Sequence, residues 1–191
     1  MSNGDRQPRQ RLTLQRGGEE MLLTPVGDRF TTRLTVPGAL DALRSRLQPI
    51  AVRPVARGQL VEWQVAAANL EARLALARQQ DTVQFASRVY QPVASPRTWI
   101  YLTDQITVQF APTLGRGRRQ AIATPYGLAE TQSLQGIPNT FVYRVTQQAT
   151  ENPVKIANHL IAYAEVLTAE PNIVVDTALL YRPKDDLYRQ Q

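Results

Sequence analysis

The chain has 191 residues, 22 basic against 16 acidic, one His and no Cys. Disulfides, thiolate metal sites and a Cys nucleophile are excluded, and a lone His159 excludes a multi-His metal cluster. With 43% apolar and 20% charged residues the composition is that of an ordinary globular protein, and at about 150 residues per domain it fits one domain or two small ones.

The net charge of +6 comes from Arg, with only Lys155 and Lys184 beside it. Such an excess suits nucleic acid, and suits equally a surface kept soluble by scattered charge, which is the preferred reading. No run approaches the roughly 18–20 apolar residues of a membrane span, so no membrane partner is expected. Residues 1–12 carry charges with no apolar stretch behind them, so no signal peptide is recognisable and the compartment is left open. Residues 1–19 are expected to form a disordered basic arm.

From residue 20 the pattern becomes regular. Residues 28–35 alternate apolar and polar and predict a strand, broken by Val36-Pro37-Gly38. Residues 39–47 place Leu40, Leu43 and Leu47 on one helical stripe, stopped by Pro49. Residues 51–55 and 59–65 predict two strands around a turn at Arg57-Gly58. Asn69 is placed to cap a second helix over 70–79, with Leu70, Leu74 and Ala77 inward, and 83–90 is again a strand. The same order follows once more. Residues 100–110 predict a strand, 116–123 a short helix ended by Gly127, and 128–134 and 140–145 two strands. Asn152-Pro153 opens a helix to 163 with Val154, Ala157, Leu160 and Ile161 as its apolar face, and 173–180 is the last strand.

Each half therefore reads β-α-β-β-α-β. Asp28-Arg-Phe-Thr matches Asp104-Gln-Ile-Thr, Val61-Glu-Trp-Gln-Val matches Phe141-Val-Tyr-Arg-Val, and Phe85-Ala-Ser-Arg-Val matches Ala169-Glu-Pro-Asn-Ile. The offset grows slightly from match to match, as small loop insertions require, and favours an internal duplication. The expected fold class is α+β: two tandem ferredoxin-like β-α-β-β-α-β units, antiparallel sheets with helices on one face. Each unit leaves its other sheet face open. The expected boundaries are 20–97 and 98–182.

Nothing in the chain has the pattern of a catalytic site. Gly115-Arg-Gly117 lacks the rest of a phosphate loop, no Ser lies in a Gly-x-Ser-x-Gly setting, and the carboxylates are dispersed. His159 reads as a helix-surface residue. No enzyme activity, cofactor or metal is expected. RNA-binding modules of this topology carry a strand of stacking aromatics that is not matched here, although Arg116, Arg118 and Arg119 could meet phosphate.

The last forty residues are the most distinctive. Asn152-Pro-Val-Lys-Ile-Ala-Asn-His-Leu160 leads to Glu165-Val-Leu-Thr-Ala-Glu-Pro-Asn-Ile-Val-Val175, then to Leu180-Tyr-Arg-Pro-Lys-Asp-Asp-Leu-Tyr188. This resembles the junction between prodomain and catalytic domain in subtilisin-like serine proteases, especially the cyanobacterial, fervidolysin-like type. The likeness is close over residues 98–191 and reaches the first half only as an extra, related repeat. Residues 183–191 resemble the start of a mature enzyme, but no Asp-[ST]-Gly, His-Gly-Thr or Gly-Thr-Ser-Met-Ala segment is present.

The resemblance implies an inhibitor and folding chaperone whose partner is a subtilisin-like catalytic domain, usually of a secreted or periplasmic enzyme. Its open sheet face would pack on two protease helices. Acidic groups in the turn before the last strand would cap those helices, where Glu170 matches and Asn172 replaces the second acid. Leu179, Leu180, Tyr181 and Arg182 would lie in the substrate cleft, with the cleaved bond left open among the last three. The alternative is a tandem ferredoxin-like protein that binds RNA or another ligand on an Arg-lined sheet.

Overall fold

Gly17 and Gly18 both take left-handed backbone angles, φ 59° and 81°, which two-residue hairpin turns favour and side-chain-bearing residues resist. They turn β1 (Leu12–Arg16) back onto β2 (Glu19–Leu34), with Arg16 facing Glu19 and Leu12 facing Leu23. The computed structural model describes residues 11–177. The arm expected over 1–19 is thus a strand from Leu12 onward, and Leu12 and Leu14 are buried. Residues 1–10 lie outside the described residues.

After β2 come α1 (Leu40–Leu47), β3 (Ala51–Val55), β4 (Leu60–Gln64), α2 (Leu70–Arg78) and β5 (Val83–Pro92). The second half holds β6 (Thr98–Phe110), α3 (Arg116–Ala123), β7 (Leu128–Ser133), β8 (Thr140–Val145), α4 (Pro153–Ile161) and β9 (Val166–Thr177). The described residues are therefore α+β, with nine strands in one antiparallel sheet and four α-helices. The strands of the first half lie side by side as β5-β2-β4-β3, those of the second as β9-β6-β8-β7. Both orders are fourth, first, third, second.

Strand alternation decides what each face buries. Phe30 and Trp63 face one another across β2 and β4, and with Leu43, Leu47, Leu70, Leu74 and Ala77 they form one core. Ile106 and Tyr143 face one another across β6 and β8, and with Ile122, Ile156, Ala157 and Leu160 they form another. These are the pairs that the matched sequence segments bring into register. The fourth strands match one residue off: Arg88 faces Phe30 and Pro171 faces Ile106, whereas the sequence match sets Arg88 against Asn172. The halves join where β5 pairs with β6 at Val89 with Tyr101 and Tyr90 with Ile100. Leu12, Leu14 and Leu23 of the hairpin seal that seam with Tyr90, Ile100, Leu102 and Val154. Asn158 Nδ2 adds a 2.9 Å bond to the Thr13 carbonyl.

Local expectations hold unevenly. Asn152 caps α4, its Oδ1 accepting the Lys155 N–H at 3.0 Å. Ile156 takes the buried place expected of Ile161, which is exposed at the end of the helix. Asn69 makes no side-chain cap, because α2 is entered through a 3-10 turn over Ala67–Asn69. The last strand starts at Val166, earlier than expected, so Glu170-Pro171-Asn172 lies inside β9 and not in a turn. Pro171 is tolerated because β9 pairs only with β6 and is an edge among the described residues.

Gly127 closes the 3-10 turn after α3 at φ 66°, and a Cβ there would meet the Ala149 backbone nitrogen at 2.5 Å. Gly127→Ala combines a left-handed backbone with a clash against main chain. It is expected to cost about 2 kcal/mol or more, read from the midpoint of a urea titration.

Candidate functional site

The sheet face away from the helices differs between the halves. In the first half it is not open. Val55, Leu60, Val89 and Tyr101 are buried there, and Val26, Trp99 and Val174 pack over them. The sheet coils until the ends of β6 and β9 cover β3 and β4. This corrects the expectation of one open face per half, and the reason is the continuity of one twisted sheet through β5 and β6.

A charged network sits in that fold. The Glu62 carboxylate is 2% exposed. Its Oε1 accepts from Arg29 Nη1 at 2.8 Å and Arg53 Nε at 3.0 Å, and its Oε2 from Arg53 Nη2 at 3.2 Å and the Tyr101 hydroxyl at 2.8 Å. Arg53 Nη2 also reaches Tyr101 OH at 2.6 Å and Asp176 Oδ2 at 3.0 Å. Trp99 lies under both guanidinium groups, 4.4 Å from Arg29 and 5.2 Å from Arg53. The hydrogen bond to Glu62 raises the Arg53 pKa further, and burial followed by the Glu62 bond raises that of Tyr101, so both stay protonated.

A second buried carboxylate joins the halves. Asp104, 1% exposed, meets Arg33 Nε at 3.0 Å, Arg144 Nε at 3.7 Å and the Gln84 amide at 3.1 Å. The Arg33 contact is an ion pair more than a hydrogen bond, since neither Arg33 Nε nor Asp104 Oδ1 has a well-aligned partner. Neither buried cluster was legible in the chain, because each draws partners from three or more strands distant in sequence.

In the second half the helix-free face is partly exposed. Gln105, Thr107 and Gln109 of β6 are half-buried, and Arg144 of β8 and Thr168 of β9 are exposed. The structure places Glu170 and Asn172 at the border of this face. Glu170 Oε1 accepts the Gly17 N–H at 2.9 Å, so the β1–β2 turn occupies it. Asn172 accepts from Thr107 Oγ1 at 3.0 Å and donates to Gln105 Oε1 at 3.2 Å. Both side chains are engaged within the chain. Leu179, Leu180, Tyr181 and Arg182 lie outside the described residues.

Other features carry less. His159 stacks on Tyr126 at 5.9 Å and its Nε2 is 3.0 Å from Glu151. Arg118 bonds Glu165 at 2.7 and 2.9 Å, holding that carboxyl below its usual range. Arg119 lies 4.0 Å above the Phe141 ring. A cleft of about 1090 Å³ runs between α2 and the loop before α4. Its Arg88 pairs with Glu71, its Arg78 bonds the Ala86 carbonyl, and Lys155 lines it as well. Among the described residues no group of three or more His, Cys, Asp or Glu is placed to hold a metal ion, and no helix is long and apolar enough to cross a membrane. Against known proteins, no family model and no curated protein matches the chain.

Proposed function

We propose that the chain is a pair of tandem ferredoxin-like units that binds a subtilisin-like serine protease, as inhibitor and folding chaperone, in the manner of a prodomain. The observation that carries this reading is the partly exposed polar face of the second half, formed by β6, β8 and β9, the last of which leads into residues 178–191. Support for the fold comes from the shared fourth-first-third-second strand order and the equivalent Phe30–Trp63 and Ile106–Tyr143 pairs. Support for the docking mode comes from the side chains offered. Thr107, Gln109 and Thr168 present hydroxyl and amide acceptors, which suit the orphan N–H groups at helix ends, while Gln105 Oε1 already accepts from Asn172. With Glu170 bound to Gly17, docking rests on these neutral groups and not on charge.

Chaperoning follows from the same contact. A module that binds the folded enzyme and not the unfolded one stabilises the fold by mass action. The RNA-binding alternative has less to stand on. Arg29, Arg33, Arg53 and Arg144 are paired with Glu62 or Asp104, and Arg118 is held by Glu165. Such guanidinium groups have few counterions to release.

Calorimetric titration of the chain into a subtilisin-type protease with its nucleophilic Ser replaced by Ala tests the proposal. One-to-one binding with a Kd of about 1 μM or tighter is expected. No heat and no complex at about a hundred times that concentration would overturn it.

A further inference from the structure

We infer that the first half is a clamp for the end of β9, and that Arg53 is the positioning residue that fixes where this strand leaves the sheet. The argument starts from β6. Its pairing with β9 breaks between Leu102 and Ile106, where four steps on β6 match two on β9, from Ile173 to Pro171. The bulge divides β9 into two runs. The inner run packs on the second half's own core through Val166 and Ala169. The outer run, Ile173 to Thr177, pairs only with Thr98–Leu102 of β6. Along this stretch β6 meets its other neighbour, β5, only at Ile100 and Tyr101, so the short outer pairing is weak without further support.

The first half supplies the support. Ile173 packs on the cluster of Leu12, Leu14, Leu23 and Tyr90, and Val174 on that of Val55, Leu60 and Val89. Asp176, one residue from the end of β9, is then gripped by Arg53 of β3 at 3.0 Å. An exposed ion pair alone is worth little. This one has a pre-set arm: the same guanidinium is fixed by both oxygens of Glu62 and by the Tyr101 hydroxyl. Holding a planar fork in place beforehand lowers what is lost when it closes on a carboxylate. β3 lies at the far end of the strand order from β9, so the contact also ties the coiled sheet to itself.

The clamp stands on the geometry alone. Only its consequence rests on the proposed function: the first half would deliver residues 178–191 to the protease cleft from a fixed point, which gives the extra repeat a purpose.

Hydrogen exchange on the full chain tests the two parts separately. In Asp176→Asn, which changes a half-exposed group and leaves the Glu62 cluster whole, amides of residues 173–177 should exchange about threefold faster. In Arg53→Ala they should exchange about tenfold faster, and those of residues 106–110 should keep their protection. Wild-type rates at 173–177 in both variants would overturn the clamp. Should Arg53→Ala open the whole chain, Asp176→Asn alone decides. Inhibition of a subtilisin-type protease, measured beside the exchange, should weaken about tenfold in Arg53→Ala. A wild-type chain that fails to inhibit removes the functional reading while the exchange rates still judge the clamp. Faster exchange with undiminished inhibition overturns the claim that the clamp serves the tail.

Discussion

Asp104→Ala is expected to lower the stability of the folded chain by about 3–5 kcal/mol. The carboxylate is almost wholly buried, and its partners come from both halves: Arg33 and Gln84 from the first, Arg144 from the second. Removing it leaves the largely buried Arg33 guanidinium and the Gln84 amide without their partner, while the exposed Arg144 turns to water. The net worth of such a cluster against an apolar replacement can be small, but breaking it from one side is costly. Asp104→Asn separates the two contributions. It keeps an oxygen for the Gln84 amide and loses the charge that Arg33 and Arg144 face, so it should fall between wild type and Ala. Because β5 and β6 pair at only two positions, Asp104 also governs how the halves unfold together. A single urea transition in wild type should shift to lower midpoint in Asp104→Ala and split in two. A shift worth less than about 1 kcal/mol would mean that water already shares this site.

Deleting residues 178–191 is expected to weaken inhibition of a subtilisin-type protease by at least about a hundredfold. The fold should survive, since the four apolar clusters among the described residues are complete without this tail. On the proposed reading the sheet face supplies attachment and the tail supplies blockade. Leu179, Leu180 and Tyr181 would each bury a large apolar side chain in the enzyme, at about 1.5–3 kcal/mol apiece before ordering costs. Losing two such burials already accounts for a hundredfold. The thermal midpoint of the truncated chain should match that of the whole one, and its inhibition constant should not. Inhibition at full strength by the truncated chain would remove the tail from the account.

Much of the fold was legible because punctuation and periodicity agree. Pro49, Gly127 and Pro153 stand where helices stop or start, and Leu43, Leu47, Leu70, Leu74 and Ala77 reach the core as their spacing predicts. Three things were hidden. Arg and Glu around Gly17-Gly18 give residues 12–20 the composition of an arm and mask the alternation of Leu12 and Leu14. Glu-Pro-Asn has the composition of a turn, yet an edge strand accepts Pro171 without losing a ladder bond. Sheet coiling is the third. Alternation tells which side chains share a face, but not that one end of the sheet will roll over the other, and Tyr101 and Asp176 join the Glu62 cluster only because it does. Part of the Arg content, diffuse in composition, goes into pairs: Arg29 and Arg53 with Glu62, Arg33 and Arg144 with Asp104, and Arg118 with Glu165.

The central claim is that the second half meets a protease with its helix-free face. Hydrogen exchange of the chain, with and without an inactive subtilisin-type protease at saturating concentration, reads that face directly. Residues 105–109, 140–144 and 168–172 should gain protection while α3 and α4 stay as they are. Protection confined to the helices, or no change anywhere along the sheet, would contradict it.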